Sequence, residues 1–170
     1  MSAKVVIDTV KLDSLAQSGA AKAIDAAARE LGFMVLQYAQ LKLTELVYTR
    51  PNIVVTASKM KTVPEPTGAL INSGYLRTFT GKLPLGCKNE AEAESAARSK
   101  NAEVKFGSAT PGPARLGQAQ VLFAVEYGLY VEMGTHRMAA RHFLIPAAEQ
   151  AQGIAEQFIL AKLREAGFDS

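Results

Sequence analysis

The sequence is poor in the residues that build disulfide bonds and metal sites. Of its 170 residues, one is a cysteine, Cys87, and two are histidines, His136 and His142. A single cysteine excludes an internal disulfide bond and a zinc site made of several cysteines. This cysteine usage is typical of a protein that stays in a reducing compartment.

Long hydrophobic runs and a large excess of one charge are also missing. No apolar run approaches the roughly 20 residues that span a bilayer, and residues 1–10 lack the apolar core of a secretion signal. We therefore expect a soluble protein, without a membrane partner, that is made in a cytoplasm. The net charge of +3 and the pI near 9.0 are only mildly basic. A protein with this charge can lie close to DNA, but we do not expect nucleic-acid phosphate to be its main partner.

The histidines and the cysteine could act as metal ligands or catalytic groups, but their sequence context does not match that of such sites. His136 and His142 stand six residues apart, which matches neither an i,i+4 pair on a helix nor a closed metal-site spacing. Cys87 has no histidine motif beside it and is interpreted as a packed or idle thiol. We predict no catalytic, cofactor-binding or metal-binding residue and no enzymatic activity. A metal enzyme built on the two histidines stays as a hypothesis that metal analysis would test.

Hydrophobic periodicity predicts a long first helix over residues 20–48, which ends before Pro51. Its apolar residues recur at steps of three and four, as one face of a helix requires; they are Ile24, Ala28, Leu31, Val35, Tyr38 and Leu41. Gly32 lies inside this predicted helix and destabilises it by about 1 kcal/mol relative to alanine. A glycine at such a position indicates a bend or a close backbone approach.

The rest of the chain reads as short strands followed by a second long helix. Strands are predicted within residues 4–12, 75–85 and 120–126, a short helix at 90–99, and loop excursions at 51–66 and 83–118. The last helix is predicted over residues 146–165, with Gly167 as a left-handed cap. This order predicts a single α+β domain over residues 1–170, in which a small antiparallel sheet is covered on one face by the long N-terminal helix and the C-terminal helix.

The predicted core joins these elements. We expect one group of apolar side chains at the contact of the two long helices with the sheet: Leu31, Val35, Tyr38, Val121, Phe123, Ile154 and Phe158.

The most informative stretch covers residues 125–150, together with residues 121–124 that lead into it. Its first part is rich in aromatic and branched residues and predicts a strand that runs into an extended or briefly helical edge. Gly134 then allows a sharp turn with positive φ, so residues 135–141 are predicted to form an exposed basic loop. Pro146 stands in the first turn of the last helix, where its missing N–H costs nothing.

Two pieces of the chain resemble a tail-component family of long-tailed bacteriophages. The larger one is Tyr127-Gly-Leu-Tyr130-Val131-Glu132-Met-Gly134-Thr135, followed by Arg137-Met138-x-Ala140-Arg141-x-Phe143-Leu144-x-Pro146-Ala147. The smaller one is Thr67-Gly68-x-Leu70-x-x-Ser73-Gly74-x-Leu76-Arg77. The chain departs from the family pattern at His142, where proline is usual, and at Met133, where phenylalanine is common.

The resemblance implies a structural virion protein without a cofactor. Members of the family are small proteins of the neck or tail-completion region that join the DNA-filled head to the tail. The implied partners are further copies of the same chain in a cyclic homo-oligomer, expected to be a hexamer, together with neighbouring head-completion, connector or tail-tube proteins and encircled DNA. The implied location is the virion, after synthesis in the host bacterial cytoplasm. A connector ring next to the portal, as a dodecamer, is the alternative within this class.

The candidate interface residues follow from the same stretch. They are Tyr130, Glu132, Gly134, Thr135, Arg137 and Arg141, with Arg77 from the smaller piece. Arginine offers a planar fork to a carboxylate of a neighbouring subunit. The same basic groups could instead contact phosphate, so a small cytoplasmic nucleic-acid-binding protein is the alternative from another class.

Overall fold

Helices alternate with short strands along the chain. The computed structural model describes residues 5–6, 19–48, 53–56, 59–62, 67–107, 112–136 and 138–168. In chain order the elements are β1 (Val5–Val6), α1 (Gly19–Leu43), a π-helical turn (Thr44–Tyr48), β2 (Ile53–Thr56), β3 (Lys59–Thr62), α2 (Ala69–Asn72), β4 (Gly74–Thr78), α3 (Glu90–Lys100), β5 (Ala119–Phe123), α4 (Gly128–Met133) and α5 (Leu144–Glu165).

The strands form an antiparallel sheet and a separate hairpin. The sheet has the order β1-β5-β4, with Val5 opposite Val121 and Gly74 opposite Phe123. Strands β2 and β3 pair with each other, from Ile53 opposite Thr62 onward, so the predicted excursion at residues 51–66 contains a β-hairpin. The predicted α+β class, with a small antiparallel sheet and two long packing helices, is confirmed.

Helix α1 lies across one face of the sheet and supplies the centre of the core. Leu31 and Val35 are fully buried, as their helical spacing predicts. A Cβ on Gly32 would lie 2.7 Å from the Cβ of Ala119 and 2.8 Å from Cδ1 of Leu76. The close backbone approach that Gly32 indicates is therefore confirmed, because only a residue without a side chain lets α1 rest on β4 and β5 at this distance.

Helix α5 packs along α1, and its first half is the part that is buried. Ala147 and Ala151 are inaccessible, and Lys162 reaches Glu30 of α1 at 3.2 Å. The prediction that Ile154 and Phe158 belong to the core is wrong. Ile154 is exposed, and half-buried Phe158 lies under the Lys162 ammonium, 5.6 Å from the ring centroid.

The aromatic side chain that packs against the α1 side of the sheet comes from the residue just before α5. Phe143 and Phe123 meet edge to face, with ring centroids 5.0 Å apart. This contact joins the sheet to α5 just before the helix begins. The aromatic partner of the sheet is therefore Phe143 and not Phe158.

Helix α3 covers the opposite face of the sheet. Its buried Ala93 packs with Tyr75 and Leu122, whose side chains point away from α1. Asn89 and Glu92 form a capping box in which each side chain accepts the other residue's N–H at 2.9 Å, and this box fixes the start of α3. The short helix predicted at residues 90–99 is thus confirmed as α3, and this part of the predicted excursion at residues 83–118 is a packed layer of the domain.

Among the described residues, no helix is both long and apolar enough to cross a membrane.

Candidate interaction surface

Gly134 ends α4 with a backbone conformation that other residues rarely adopt. Its φ is 75°, and its N–H donates to the Tyr130 carbonyl at 2.9 Å. A Cβ at this position would lie 2.6 Å from the backbone nitrogen of Ala140 and 2.8 Å from the Met138 carbonyl oxygen. The sharp turn predicted at Gly134 is confirmed, and both the φ angle and the close approach require glycine there.

The following loop is a tight turn that is tied back to α4. The Thr135 N–H donates to the Met138 carbonyl at 2.8 Å, and the Met138 N–H donates to the Thr135 carbonyl at 3.1 Å. The Arg141 N–H then donates to the Val131 carbonyl at 2.8 Å. Thr135 and His136 are exposed at the turn, while Arg137, predicted as an interface residue, lies outside the described residues. Backbone hydrogen bonds therefore hold both ends of the loop.

Glu132 differs from the exposed contact residue that the sequence predicts. It is only 1% exposed, and its carboxylate accepts the N–H groups of Phe143 at 2.8 Å, Leu144 at 2.9 Å and Ile145 at 2.9 Å. A helix leaves its first N–H groups without partners inside the helix. Glu132 satisfies three of them, so it stabilises the start of α5 and is not available to a neighbouring subunit.

Pro146 completes this arrangement at the next position of α5. It is the residue directly after the three whose N–H groups bind Glu132, and proline has no N–H to satisfy. The negative carboxylate also lies at the helix end that favours negative charge. Glu132 and Pro146 therefore act together: the first turn of α5 has no unpartnered donor from residue 143 to residue 146.

The two histidines lie near the turn after α4, and no cluster of metal ligands surrounds them among the described residues. His142 lies beside the buried carboxylate, with its Nδ1 3.8 Å from Oε1 of Glu132, and its side chain is half-exposed. His136 is exposed on the turn. Among the residues that the structure describes, there is no group of three or more His, Cys, Asp or Glu side chains that could hold a metal ion.

The outward side of α4 is apolar. Tyr127, which is the N-cap residue of α4, stands three residues before Tyr130, and Met133 stands three residues after it, so the three lie along one side of the helix. Tyr130 and Met133 are 49% and 59% exposed, while Val131 and Glu132 face inward. We call the three outward residues the α4 stripe. Sequence reasoning identified Tyr130 but missed the other two, although their spacing of three was a usable signal.

Tyr127 also fixes the stripe to the rest of the domain. Its phenol lies against the Leu70 backbone and the Thr67 side chain of the segment that forms α2. Burial of the phenol raises the pKa of Tyr127. The stripe is therefore anchored at its first residue and projects into solvent at its last two.

Arg77 lies apart from the α4 stripe and is already paired. It stands on β4, and its Nη2 is 2.6 Å from Oε2 of Glu90 at the start of α3. The Tyr75 hydroxyl donates to the other oxygen of Glu90 at 3.1 Å. Burial, followed by the charge of Glu90, raises the pKa of Tyr75. Arg77 thus joins β4 to α3, and the structure does not bring it together with the other predicted interface residues.

A groove runs between the outer side of α1 and α2. It has a volume of about 670 Å³, and the Gln40 Nε2 donates to the Ile71 carbonyl across it at 3.1 Å. The lining residues within the described part of the chain carry no formal charge; they are Met34, Gln37, Tyr38, Gln40, Leu41, Thr44, Ile71 and Asn72. We call it the α1–α2 groove. Leu41, predicted for the core face of α1, is 58% exposed here because neither the sheet nor α5 covers this side.

The remaining basic side chains are spread over different elements. The Arg98 guanidinium lies 4.6 Å from the centroid of the Phe106 ring, and the Lys88 ammonium contacts the Asn72 carbonyl at 3.2 Å. These contacts hold two of the basic groups against the surface of the domain.

Compared with known proteins, the chain matches no family model, no curated protein and no solved structure.

Proposed function

We propose that this protein is a structural subunit of a tailed-phage virion, and that it forms a ring in the neck or tail-completion region where the head joins the tail. The proposal begins from the two sequence pieces that resemble the phage tail-component family. A ring next to the portal, with twice as many subunits, is the variant of the same proposal. The protein has no catalytic role in either version.

The observation that carries the proposal is the platform formed by α4, the turn after it and the start of α5. Backbone hydrogen bonds and the buried Glu132 carboxylate fix this platform from inside, while Tyr130 and Met133 project outward. Interfaces are enriched in Tyr, Met and Arg. A rigid platform lowers the entropy cost of association, because little has to be ordered when a neighbour binds.

The residues of the resembling segment divide into two groups on this platform. The first group builds the platform. The Glu132 carboxylate accepts N–H groups at the start of α5, Gly134 allows the turn with positive φ, and Pro146 has no N–H that needs a partner. Tyr130 and Arg141 are exposed or half-exposed on it. A segment that combines a fixed backbone with outward side chains is suited to recognising a neighbouring protein.

The first test is the mass of the purified protein, measured by light scattering and by negative-stain images. We expect a closed ring, whose subunit number separates the hexamer from the dodecamer. The measurement should be repeated over a range of salt concentration with added duplex DNA. Binding to DNA that weakens steeply with salt, without a ring, would contradict the proposal and favour the nucleic-acid-binding alternative.

The second test is Arg141→Glu in the phage that encodes the chain. The Arg141 side chain is half-exposed and its backbone N–H bond does not depend on the side chain, so the subunit should fold as before. We expect unjoined heads and tails to accumulate, because a reversed charge at an interface repels the carboxylate it used to meet. Arg115→Glu, at an exposed arginine before β5, is the control. Normal yields of joined particles from Arg141→Glu would contradict this role of the loop.

A further inference from the structure

We propose that the α4 stripe of one copy packs into the α1–α2 groove of the next copy, and this inference rests on the proposed ring. The groove is an open surface depression of about 670 Å³ on a rigid core helix. The stripe is an exposed row of two aromatic side chains and a methionine. The proposed contact thus joins two different surfaces of the same chain, the stripe of one copy and the groove of the next.

The uncharged lining of the groove favours an uncharged occupant such as the α4 stripe. The eight lining residues that the structure describes are uncharged, so a Lys, Arg, Asp or Glu that packed against them would lose water without gaining an opposite charge, which is strongly unfavourable. The three residues of the stripe are also uncharged. The exposed amide of Gln37 in the groove wall can exchange hydrogen bonds with a phenol hydroxyl, as an amphipathic tyrosine requires when it is covered.

The charged residues beside the two surfaces are complementary as well. Lys88 contacts Asn72, one of the groove residues, and so places an ammonium group at the groove edge. Exposed Glu126 directly precedes the first residue of the stripe. Opposite charges at the rims of matching apolar surfaces steer association and disfavour wrong registers.

Both surfaces are held in shape before any partner binds. The groove is formed by α1, whose opposite side is buried against the sheet at Leu31 and Val35. The stripe belongs to α4, whose inward side carries the buried Glu132 carboxylate. Neither surface has to fold on binding, so the loss of conformational entropy is small.

The size of the contact fits a ring better than an isolated pair. An aromatic side chain buries about 150–250 Å², so the stripe alone provides less than the roughly 800 Å² per partner of a standard interface. A single stripe-to-groove contact is therefore weak. In a closed ring each copy uses its stripe and its groove once, and closure makes the last contact intramolecular.

The experiment uses one charged variant on each surface. Tyr130→Glu places a carboxylate on the stripe and Leu41→Glu places one in the groove, both at exposed positions where the fold tolerates it. Each variant should raise the concentration needed for assembly by at least about 100-fold, because the new carboxylate is buried without a partner. Leu85→Glu, at a leucine that is 99% exposed and outside both surfaces, is the matched control and should assemble normally. Circular dichroism checks that all variants fold.

Cysteine crosslinking tests which surfaces touch. In a Cys87→Ser background, Leu41→Cys and Met133→Cys are prepared as separate proteins and mixed before a short bismaleimide is added. We expect covalent dimers in the mixture, none from either protein alone, and a ladder of higher species from the double variant Leu41→Cys/Met133→Cys.

The outcomes separate this inference from the proposed function. A wild-type ring that survives Tyr130→Glu and Leu41→Glu and gives no mixed crosslink would overturn the inference and leave the ring standing. A wild-type chain that stays monomeric up to its solubility limit would overturn both. If rings of Leu41→Glu form normally but fail to join heads to tails, the groove holds another virion protein, and the inference is again overturned.

Discussion

Replacing Glu132 tests whether one buried carboxylate fixes the start of α5. In Glu132→Ala, the N–H groups of Phe143, Leu144 and Ile145 lose their acceptor, and the first two of these residues are fully buried. An unsatisfied buried donor costs about 1–3 kcal/mol. The lost attraction between a carboxylate and the helix N-terminus adds about 0.3–1 kcal/mol.

The net change in the free energy of unfolding is the balance of these losses and one opposing gain. Taking the carboxylate out of water costs several kcal/mol in the native protein, and the alanine variant no longer has this cost. The backbone N–H groups cannot be removed, however, and the variant leaves them unpaired in the same buried place. We therefore expect Glu132→Ala to lower the free energy of unfolding by about 4 kcal/mol, a large share of the roughly 5–15 kcal/mol of a typical domain. Glu132→Gln keeps the shape and one oxygen acceptor, so a loss of about 2–3 kcal/mol is expected.

The assay is urea unfolding followed by circular dichroism, with equal slopes required so that only stability is compared. Glu126→Ala, an exposed glutamate six residues earlier, is the matched control and should change stability by no more than about 0.5 kcal/mol. A Glu132→Ala variant whose free energy of unfolding stays within about 1 kcal/mol of the wild-type value would contradict this role of Glu132, because an effect that small would mean that the three N–H groups find other partners.

Three further predictions concern single sites. Gly32→Ala should destabilise the protein by about 1 kcal/mol or more, measured by urea unfolding, because the clash with Ala119 and Leu76 outweighs the better helix propensity of alanine; a gain in stability would contradict the close approach. Gly134→Ala should cost at least about 2 kcal/mol in thermal unfolding, since φ is 75° and backbone atoms fill the space of the new Cβ, and an unchanged melting temperature would refute it. Burial raises the pKa of the Cys87 thiol to about 11, so less reactive thiolate is present at pH 8, and iodoacetamide should react at least about tenfold more slowly than with an unstructured cysteine peptide; equal rates would show that the thiol is freely exposed.

Local sequence determined the elements and their turning points. The helical spacing of Leu31 and Val35 marks the buried side of α1, because the period of an α-helix is set by its backbone geometry. Gly134 and Pro146 could be placed in advance for a similar reason, since their special φ angle and missing donor are properties of the single residue.

The tertiary structure decided the role of each polar side chain. Glu132 and Arg77 were both predicted as surface contacts, yet one caps α5 and the other pairs with Glu90. No local pattern contains this information, because the partners lie more than ten residues away along the chain and meet only when the elements pack. A polar group becomes structural when its own fold supplies its partner.

The exposed surfaces were decided in the same way. Leu41 continues the apolar spacing of α1, and Ile154 continues that of α5, but both are exposed because no other element of the described fold covers those turns. Periodicity states which residues share a side of a helix, whereas burial also requires a second element opposite that side. The α1–α2 groove and the α4 stripe exist because the described part of the fold leaves these two apolar sides uncovered.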